Sequence, residues 1–222
     1  MDWTAFGLSL RLGLYTVLIL LPVGIGLGRL LAFSRFRGKG FAEAALALPL
    51  VLPPTVIGYY LLVGFGGASP VGQFLESVTG RGLVFTFEGL LVASVLVNLP
   101  FAVQPMQRAF EAIPPDVREA ASVSGLSPLA VLARIDLPLA WPGIVTGLVL
   151  AFAHTLGEFG VVLMVGGSIP GETKTVAIAI YDRVQAFDNA AAGIMSLTLL
   201  AVSMAALGLT YALSSRVGRR HA

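Results

Sequence analysis

Residues 114–138 read PPDVREAASVSGLSPLAVLARIDLP, a polar interval between two long apolar runs. The paired prolines at its start end the preceding helix, because proline lacks a backbone N–H, and they favour the first turn of a new one. Asp116 adds a carboxylate near the positive end of that new helix. Gly125 is the residue type that takes the left-handed conformation closing a helix. The pattern therefore predicts a short helix over Val117–Ser124.

A second helix start follows within the same interval. Ser127 offers a hydroxyl N-cap, and Pro128 already has the φ angle that a first helical residue needs. We expect a helical stretch over Leu129–Ile135, after which Pro138 bends the chain into the next apolar segment.

The first of these helices is suited to docking another protein. Ala120 and Ala121 make one side small, so that a partner can come close. Arg118 and Glu119 are expected to project charge towards that partner. A rigid helix joined at both ends to apolar segments would transmit motion from the partner into them.

The composition places the chain in a membrane. Hydrophobic residues make up 56% of its 222 residues and charged residues only 12%, about half the charged share of a soluble domain. The absence of cysteine excludes disulfides, thiolate metal sites and cysteine nucleophiles. We therefore predict an all-α integral membrane bundle forming a single domain over residues 1–222.

Five apolar segments are long enough to cross a hydrocarbon core of about 30 Å. Their unbroken hydrophobicity indicates helices rather than the alternating strands of a barrel. The predicted spans are roughly Phe6–Phe33, Phe41–Phe65, Phe87–Met106, Gly143–Val165 and Ala190–Leu213.

Basic residues near the span ends predict the orientation, because cytoplasmic loops carry an excess of Lys and Arg. Three regions that fall on one side of a five-span chain are rich in them: Arg35, Arg37 and Lys39; Arg108, Arg118 and Arg134; and Arg216, Arg219 and Arg220. The N-terminus is therefore expected outside and the C-terminus in the cytoplasm, with residues 114–138 inside. For the external connection at 166–189, a short helix with Val176, Ile180, Val184 and Phe187 on one side and an ordinary ordered loop both stay open.

The spacing within the polar interval resembles the EAA signature of ABC importer permeases. Glu119-Ala120-Ala121, three residues, Gly125, nine residues and then Ile135-Asp136-Leu137-Pro138 match E-A-A-x3-G-x9-I-x-L-P without a departure. In that family this element is the coupling helix, which sits in a cleft of the ATPase subunit. The resemblance implies that Arg118, Glu119, Ala120, Ala121, Gly125, Ile135, Leu137 and Pro138 couple the chain to an ATPase.

The resemblance also implies the fold and the partners. The fold would be that of the smaller, MetI-like ABC importer permeases. The partners would be two ABC ATPase subunits, an extracytoplasmic oxyanion-binding protein, a second copy of this chain and the lipid bilayer of a bacterial or archaeal cytoplasmic membrane, with no nucleic acid. The sequence holds no phosphate-binding Gly-x-x-x-x-Gly-Lys-Ser/Thr, so we expect no cofactor, with ATP bound by the partner, and no enzymatic activity of the chain itself.

Two further stretches resemble the molybdate branch of that family. They are LPLVLPPTVIGYYLL over Leu48–Leu62 and LGEFG over Leu156–Gly160. The resemblance implies an importer of molybdate, with tungstate also open. The alternatives are a permease for sulfate or another oxyanion and, in another class, a secondary transporter or channel that needs no ATPase.

Polar groups within the apolar segments are candidates for a transport route or a gate. Asn98 and His154 either line a wet route or join helices, and the second use is commoner. Glu158, expected in the outer half of the fourth span, must face the bundle because a carboxylate is costly in lipid. We favour a structural partner over a route residue for it, with Arg11 as that partner. No second histidine lies at metal-ligand spacing from His154, so no metal site is expected.

The adjacent prolines Pro53 and Pro54 are expected to break the second span near its middle. The freed carbonyl groups then need new donors, for which the Thr55 hydroxyl is a candidate. A widened cavity or gate at this point and a static kink are both open.

Overall fold

The computed structural model describes residues 1–218, and these residues contain helices and connections but no strand. The helices are α1 Trp3–Phe33, α2 Lys39–Val51, α3 Pro54–Phe65, α4 Pro70–Thr79, α5 Phe87–Glu111, α6 Pro115–Val123, α7 Pro128–Val131, α8 Leu137–Gly157, α9 Gly160–Gly166, α10 Val176–Gln185 and α11 Asn189–Gly218. A π turn, Leu132–Asp136, joins α7 to α8. Within residues 1–218, four helices are long and apolar enough to cross a membrane, and there are five such segments when the bent pair α2–α3 is counted as one span.

The centre of the bundle consists of α1, α5 and α8. Leu20, Met106, Phe110 and Ile144 from these three helices are at most 1% exposed. α5 and α8 approach so closely that a Cβ placed on Gly147 would lie 2.7 Å from the carbonyl oxygen of Ala102. Small residues at such contacts let two membrane helices pack backbone against backbone.

The second span is broken in its middle, as the sequence predicted. The chain bends by 110° between α2 and α3. Pro53 and Pro54 carry no backbone N–H. The carbonyl groups four residues earlier, those of Pro49 and Leu50, therefore lose their usual helical donors. α2 buries none of its side chains within the chain.

The fourth span differs from its prediction at both ends. It starts at Pro128 and continues to Gly157, whereas the prediction placed it at Gly143–Val165. The expected bend at Pro138 is wrong, because the helix continues through this residue. Leu137 donates to the carbonyl of Leu132, five residues back, and this wider turn accommodates a proline that cannot donate to the usual acceptor.

The connections on the side opposite α6 are helical. α10 decides the open question at 166–189 in favour of a helix, although Phe187 lies beyond its end and is 89% exposed. α4 was not predicted. Its signals are the same as those of α7: Ser69 caps it by accepting a hydrogen bond from the Gly72 N–H (2.8 Å), and Pro70 follows. Arg219 and Arg220, which entered the orientation prediction, lie outside the described residues.

Candidate functional site

The predicted short helix within residues 114–138 is present as α6. It spans Pro115–Val123, two residues earlier at its start and one at its end than predicted. Gly125 has φ 77°, in the left-handed region, and the Leu126 N–H donates to the Ala121 carbonyl (3.2 Å) across the turn. This is the closing turn that the sequence indicated at Gly125.

The two sides of α6 differ in character. Glu119, Ala120 and Val123 are exposed, and Val123 is 90% exposed. Arg118 and Ala121 do not share that side, which corrects the prediction for both. Ala121 is 6% exposed and faces the bundle, and Arg118 is directed inward. The side left open to a partner therefore includes Glu119, Ala120 and Val123.

Arg118 belongs to an ionic cluster around a buried carboxylate, which sequence reasoning missed. Asp136, at the end of the π turn, is 0% exposed. Its Oδ1 accepts from Nε of Arg118 (3.2 Å) and its Oδ2 from Nε of Arg29 on α1 (2.8 Å). The Arg118 guanidinium also lies 3.5 Å from the ring centroid of Phe33. We call Arg29, Arg118 and Asp136 the Asp136 cluster.

The other residues of the predicted signature lie around this cluster. Ile135 is half-buried in the π turn, and Leu137 packs against the central core. Pro138 is exposed at the start of α8. The signature thus combines an exposed helix face with the turn that holds Asp136.

A cavity of about 730 Å³ opens between α6 and the adjoining ends of α1 and α5. Both signs of charge line it, with Arg35 and Lys39 facing Glu111 and Glu119. This mixture indicates a surface that meets polar and charged protein groups, not one that selects a single anion.

Asn98 and His154, predicted as route candidates, meet in the interior. His154 Nδ1 lies 3.1 Å from Asn98 Oδ1, and its ring stacks on Phe101 with 4.2 Å between centroids. The Asn98 amide also donates to Thr155 Oγ1 (3.1 Å), and Ser94 Oγ lies 3.3 Å from the same hydroxyl. Asn98 is 0% exposed. These side chains form a polar network that joins α5 to α8.

Glu158 lies at one end of this polar network, and its position differs from the prediction. It lies between α8 and α9, not inside the fourth span. Its Oε1 accepts from the Val161 N–H (2.9 Å), and its Oε2 lies 3.7 Å from His154 Nε2. The carboxylate therefore caps α9, where it meets the positive end of that helix.

The predicted pairing of Glu158 with Arg11 is wrong, since no ion pair joins them within residues 1–218. Arg11 is exposed, and its guanidinium lies over the ring of Phe87 (4.5 Å) and near that of Tyr15 (5.4 Å). Glu158 is therefore partnered by the N-terminus of α9 and by His154. Arg11 contacts the rings of Phe87 and Tyr15 instead of Glu158.

Pro53, Pro54 and Thr55 are exposed at the break of the second span. Thr55 makes no side-chain hydrogen bond to another described residue, so its predicted use as a donor to the freed carbonyl groups is wrong. A Cβ on Gly160 would lie 2.8 Å from that of Pro54. The start of α9 therefore packs on the start of α3, and the break adjoins the Glu158 end of the polar network.

Among the described residues, no group of His, Asp or Glu side chains has the arrangement of a metal site. The prediction that the chain binds no metal or cofactor stays a prediction.

Comparison with known proteins gives matches over nearly the whole chain. The family described as "Binding-protein-dependent transport system inner membrane component" matches residues 24–219. The molybdenum transport system permease protein ModB of Azotobacter vinelandii is 50% identical over 191 residues, 86% of this chain and 84% of that protein. ModB of Escherichia coli (strain K12) is 36% identical over 208 residues, 94% of this chain and 90% of that protein.

A solved structure shares the fold. A chain of a bacterial ABC transporter involved in the import of the acidic polysaccharide alginate superposes with a TM-score of 0.78 at 18% identity, covering 96% of this chain and 78% of that chain. At that level of identity the likeness supports the fold alone.

Proposed function

This chain belongs to the family of binding-protein-dependent transport system inner membrane components, and we propose that it is the membrane-spanning subunit of an ATP-driven importer of molybdate. Membership confirms the resemblance to ABC importer permeases and the predicted fold. The cargo is supported by two relatives named for molybdenum transport, one of them 50% identical over most of both chains.

The exposed side of α6 carries the proposed contact with the ATPase. Glu119, Ala120 and Val123 form a small, open surface on a helix that is tied at both ends to spans. Because the sequence holds no phosphate-binding loop of its own, the energy comes from the ATPase partner. The α6 face is accordingly the cytoplasmic one, with the N-terminus outside and the C-terminus inside.

The broken second span supports the position of the transport route. Irregular backbone at membrane depth is tolerated only where protein covers it or water fills a cavity. Pro53, Pro54 and Thr55 are exposed, and carbonyl groups beside them have lost their donors. This surface therefore faces water and a second copy of the chain, not lipid, and the route runs between the two copies.

Transport follows alternating access in this proposal. ATP binding brings the two ATPase subunits together and moves the two α6 helices with them. The spans then open the route towards the docked external binding protein, which delivers the tetrahedral dianion. Hydrolysis returns the route to the cytoplasmic side. The external protein selects the cargo, so the route itself needs no tight oxyanion site.

The single observation that carries the proposal is the match to the molybdenum permeases over both α6 and the broken span. The test is purification of the tagged chain from its own host's membranes, followed by uptake assays in proteoliposomes with the matching binding protein. We expect an ABC ATPase to co-purify, and ATP to drive the accumulation of molybdate.

Three outcomes of that test separate the alternatives. Uptake of sulfate in preference to molybdate contradicts the proposed cargo but not the proposed ATP-driven mechanism. Uptake driven by an ion gradient without any ATPase contradicts the ATP-driven mechanism as well and indicates a secondary transporter. ATP-driven uptake of molybdate and tungstate, with sulfate excluded, supports the proposal in full.

A further inference from the structure

α6 is held to its own subunit by very few side chains. Among the side chains of α6 that the structure describes, Ala121 alone is buried, and Arg118 is half-buried. Both ends of α6 continue into turns, at Pro114 and at Gly125. Any displacement of α6 by a partner therefore reaches the bundle through those two turns, through Ala121 and through Arg118.

Arg118 leads directly to two membrane spans. Asp136 is fully buried, and a charge removed from water in this way needs partners that compensate its lost hydration. It has two, and they bind different oxygens: Arg118 of α6 at Oδ1 and Arg29 of α1 at Oδ2. Asp136 itself precedes α8 directly. One carboxylate thus connects α6 with both α1 and α8.

This arrangement resists separation of its parts. If α6 moved without the spans, the buried carboxylate of Asp136 would lose its donor at Oδ1 and keep only Arg29 at Oδ2. If the spans follow α6, every contact persists. Stacking of the Arg118 guanidinium on Phe33 of α1 adds to the same preference.

The backbone at Asp136 is also unusual. Asp136 ends the π turn Leu132–Asp136, and π turns inside helices are often found at functional positions. The turn sits between α7 and the first turn of α8, at the point where the polar interval joins the fourth span. Asp136 therefore lies near the start of the fourth span, where it meets Arg118 of α6 and Arg29 of α1.

We propose that the Asp136 cluster transmits the displacement of α6 to α1 and α8, so that uptake follows ATP hydrolysis. Arg118 and Asp136 are positioning residues, because they touch neither ATP nor cargo. The inference rests on the proposed function. Its rival is a static anchor, in which the cluster only stabilises the folded subunit.

The experiment measures uptake and ATP hydrolysis separately in proteoliposomes that contain the complete complex and its binding protein. The variants are Arg118→Met, Arg118→Lys and Asp136→Asn. Arg108→Met is the matched control. Arg108 is an arginine in the last turn of α5, the helix before α6, and it pairs with Glu111 of the same helix.

We expect Arg118→Met to keep ATP hydrolysis within about twofold of the unmodified complex and to lower the cargo transported per ATP by about tenfold, a factor common for coupling between sites. Asp136→Asn should act in the same direction. Arg118→Lys keeps the charge and should recover part of the loss. Arg108→Met should leave the ratio unchanged.

Three results overturn the inference. Uptake and hydrolysis that fall in parallel with the amount of assembled complex indicate a static anchor. A ratio in Arg118→Met equal to that in Arg108→Met indicates no role. If Asp136→Asn does not assemble, Arg118→Met decides, since Asp136 then keeps Arg29; failure of Arg118→Met to assemble also indicates the anchor.

The same assay separates this inference from the proposed function. An unmodified complex that takes up sulfate still gives a ratio of cargo to ATP, so the inference is tested even when the cargo is wrong. An unmodified preparation without an ATPase overturns the proposed function before any variant is compared.

Discussion

At the scale of single residues, three acidic side chains have roles that depend on their surroundings. Glu119 is exposed, Asp136 is fully buried between two arginines, and Glu158 is buried at a helix start. The sequence predicted the exposure of Glu119 and the inward direction of Glu158. It did not predict Arg29 as a partner of Asp136, because the two are 107 residues apart and no local spacing relates them. It also missed the partners of Glu158, although both lie within four residues of it in the sequence.

Glu158 tests whether the cap or the charge matters. Glu158→Gln keeps an oxygen that accepts from Val161, whereas Glu158→Ala removes it. The loss of a helix cap costs about 1 kcal/mol of stability. We expect the alanine variant to lower the thermal unfolding midpoint of the purified complex and the glutamine variant to retain most of it. Equal losses would show that the charge, not the cap, is the important property.

The revised surroundings of Arg11 give a second test. Arg11 and Glu158 make no contact with each other, so the effects of Arg11→Met and Glu158→Gln on stability should add within about 0.5 kcal/mol. A double-mutant cycle on the unfolding of the purified complex measures this. A larger coupling energy would restore the pairing that the structure rejects.

At the scale of elements, helix starts and stops were the most predictable features. Ser-Pro at residues 127–128 and Gly125 indicated α7 and the end of α6, and the two adjacent prolines indicated the break of the second span. The same Ser-Pro signal at residues 69–70 marks the start of α4. The π turn was not predictable from these rules, because a proline in an otherwise helical pattern is equally consistent with a bend.

Gly125 permits a test of the turn that follows α6. A Cβ there meets no atom within 4 Å, so φ 77° alone makes substitution costly. A left-handed residue other than Gly costs about 1–2 kcal/mol, and Asn is better tolerated than β-branched types. We expect Gly125→Val to reduce uptake per ATP more than Gly125→Asn, with both chains present in the membrane. Normal uptake by the valine variant would contradict this.

The break in the second span can be removed by restoring donors. Pro53→Ala with Pro54→Ala gives the chain two N–H groups that can reach the carbonyls of Pro49 and Leu50. We expect α2 and α3 to straighten and uptake to fall, while assembly with the ATPase persists. Pro22→Ala, which removes a proline inside α1, is the control and should transport normally. Unaltered uptake by the double variant would mean that the break is a static kink.

At the scale of the whole molecule, topology is open to direct measurement because the chain has no cysteine. Glu119→Cys on α6 and Phe187→Cys, beyond α10, introduce single exposed thiols on opposite faces. A membrane-impermeant maleimide should label Phe187→Cys in cells with an opened outer barrier and Glu119→Cys only in inverted vesicles. The reverse pattern would place α6 on the outer side and remove the basis for docking an ATPase.

The close approach of Gly147 to the backbone of Ala102 has a consequence for motion. Two helices whose backbones are this close cannot slide or rotate against each other unless they first separate. We therefore expect α5 and α8 to move as one rigid unit. Conformational changes during a transport cycle are then expected in segments that pack weakly on the rest of the chain. α2 is the first candidate, since none of its side chains is buried. In a hydrogen–deuterium exchange measurement, the backbone amides of α2 should exchange early and those of α5 and α8 last.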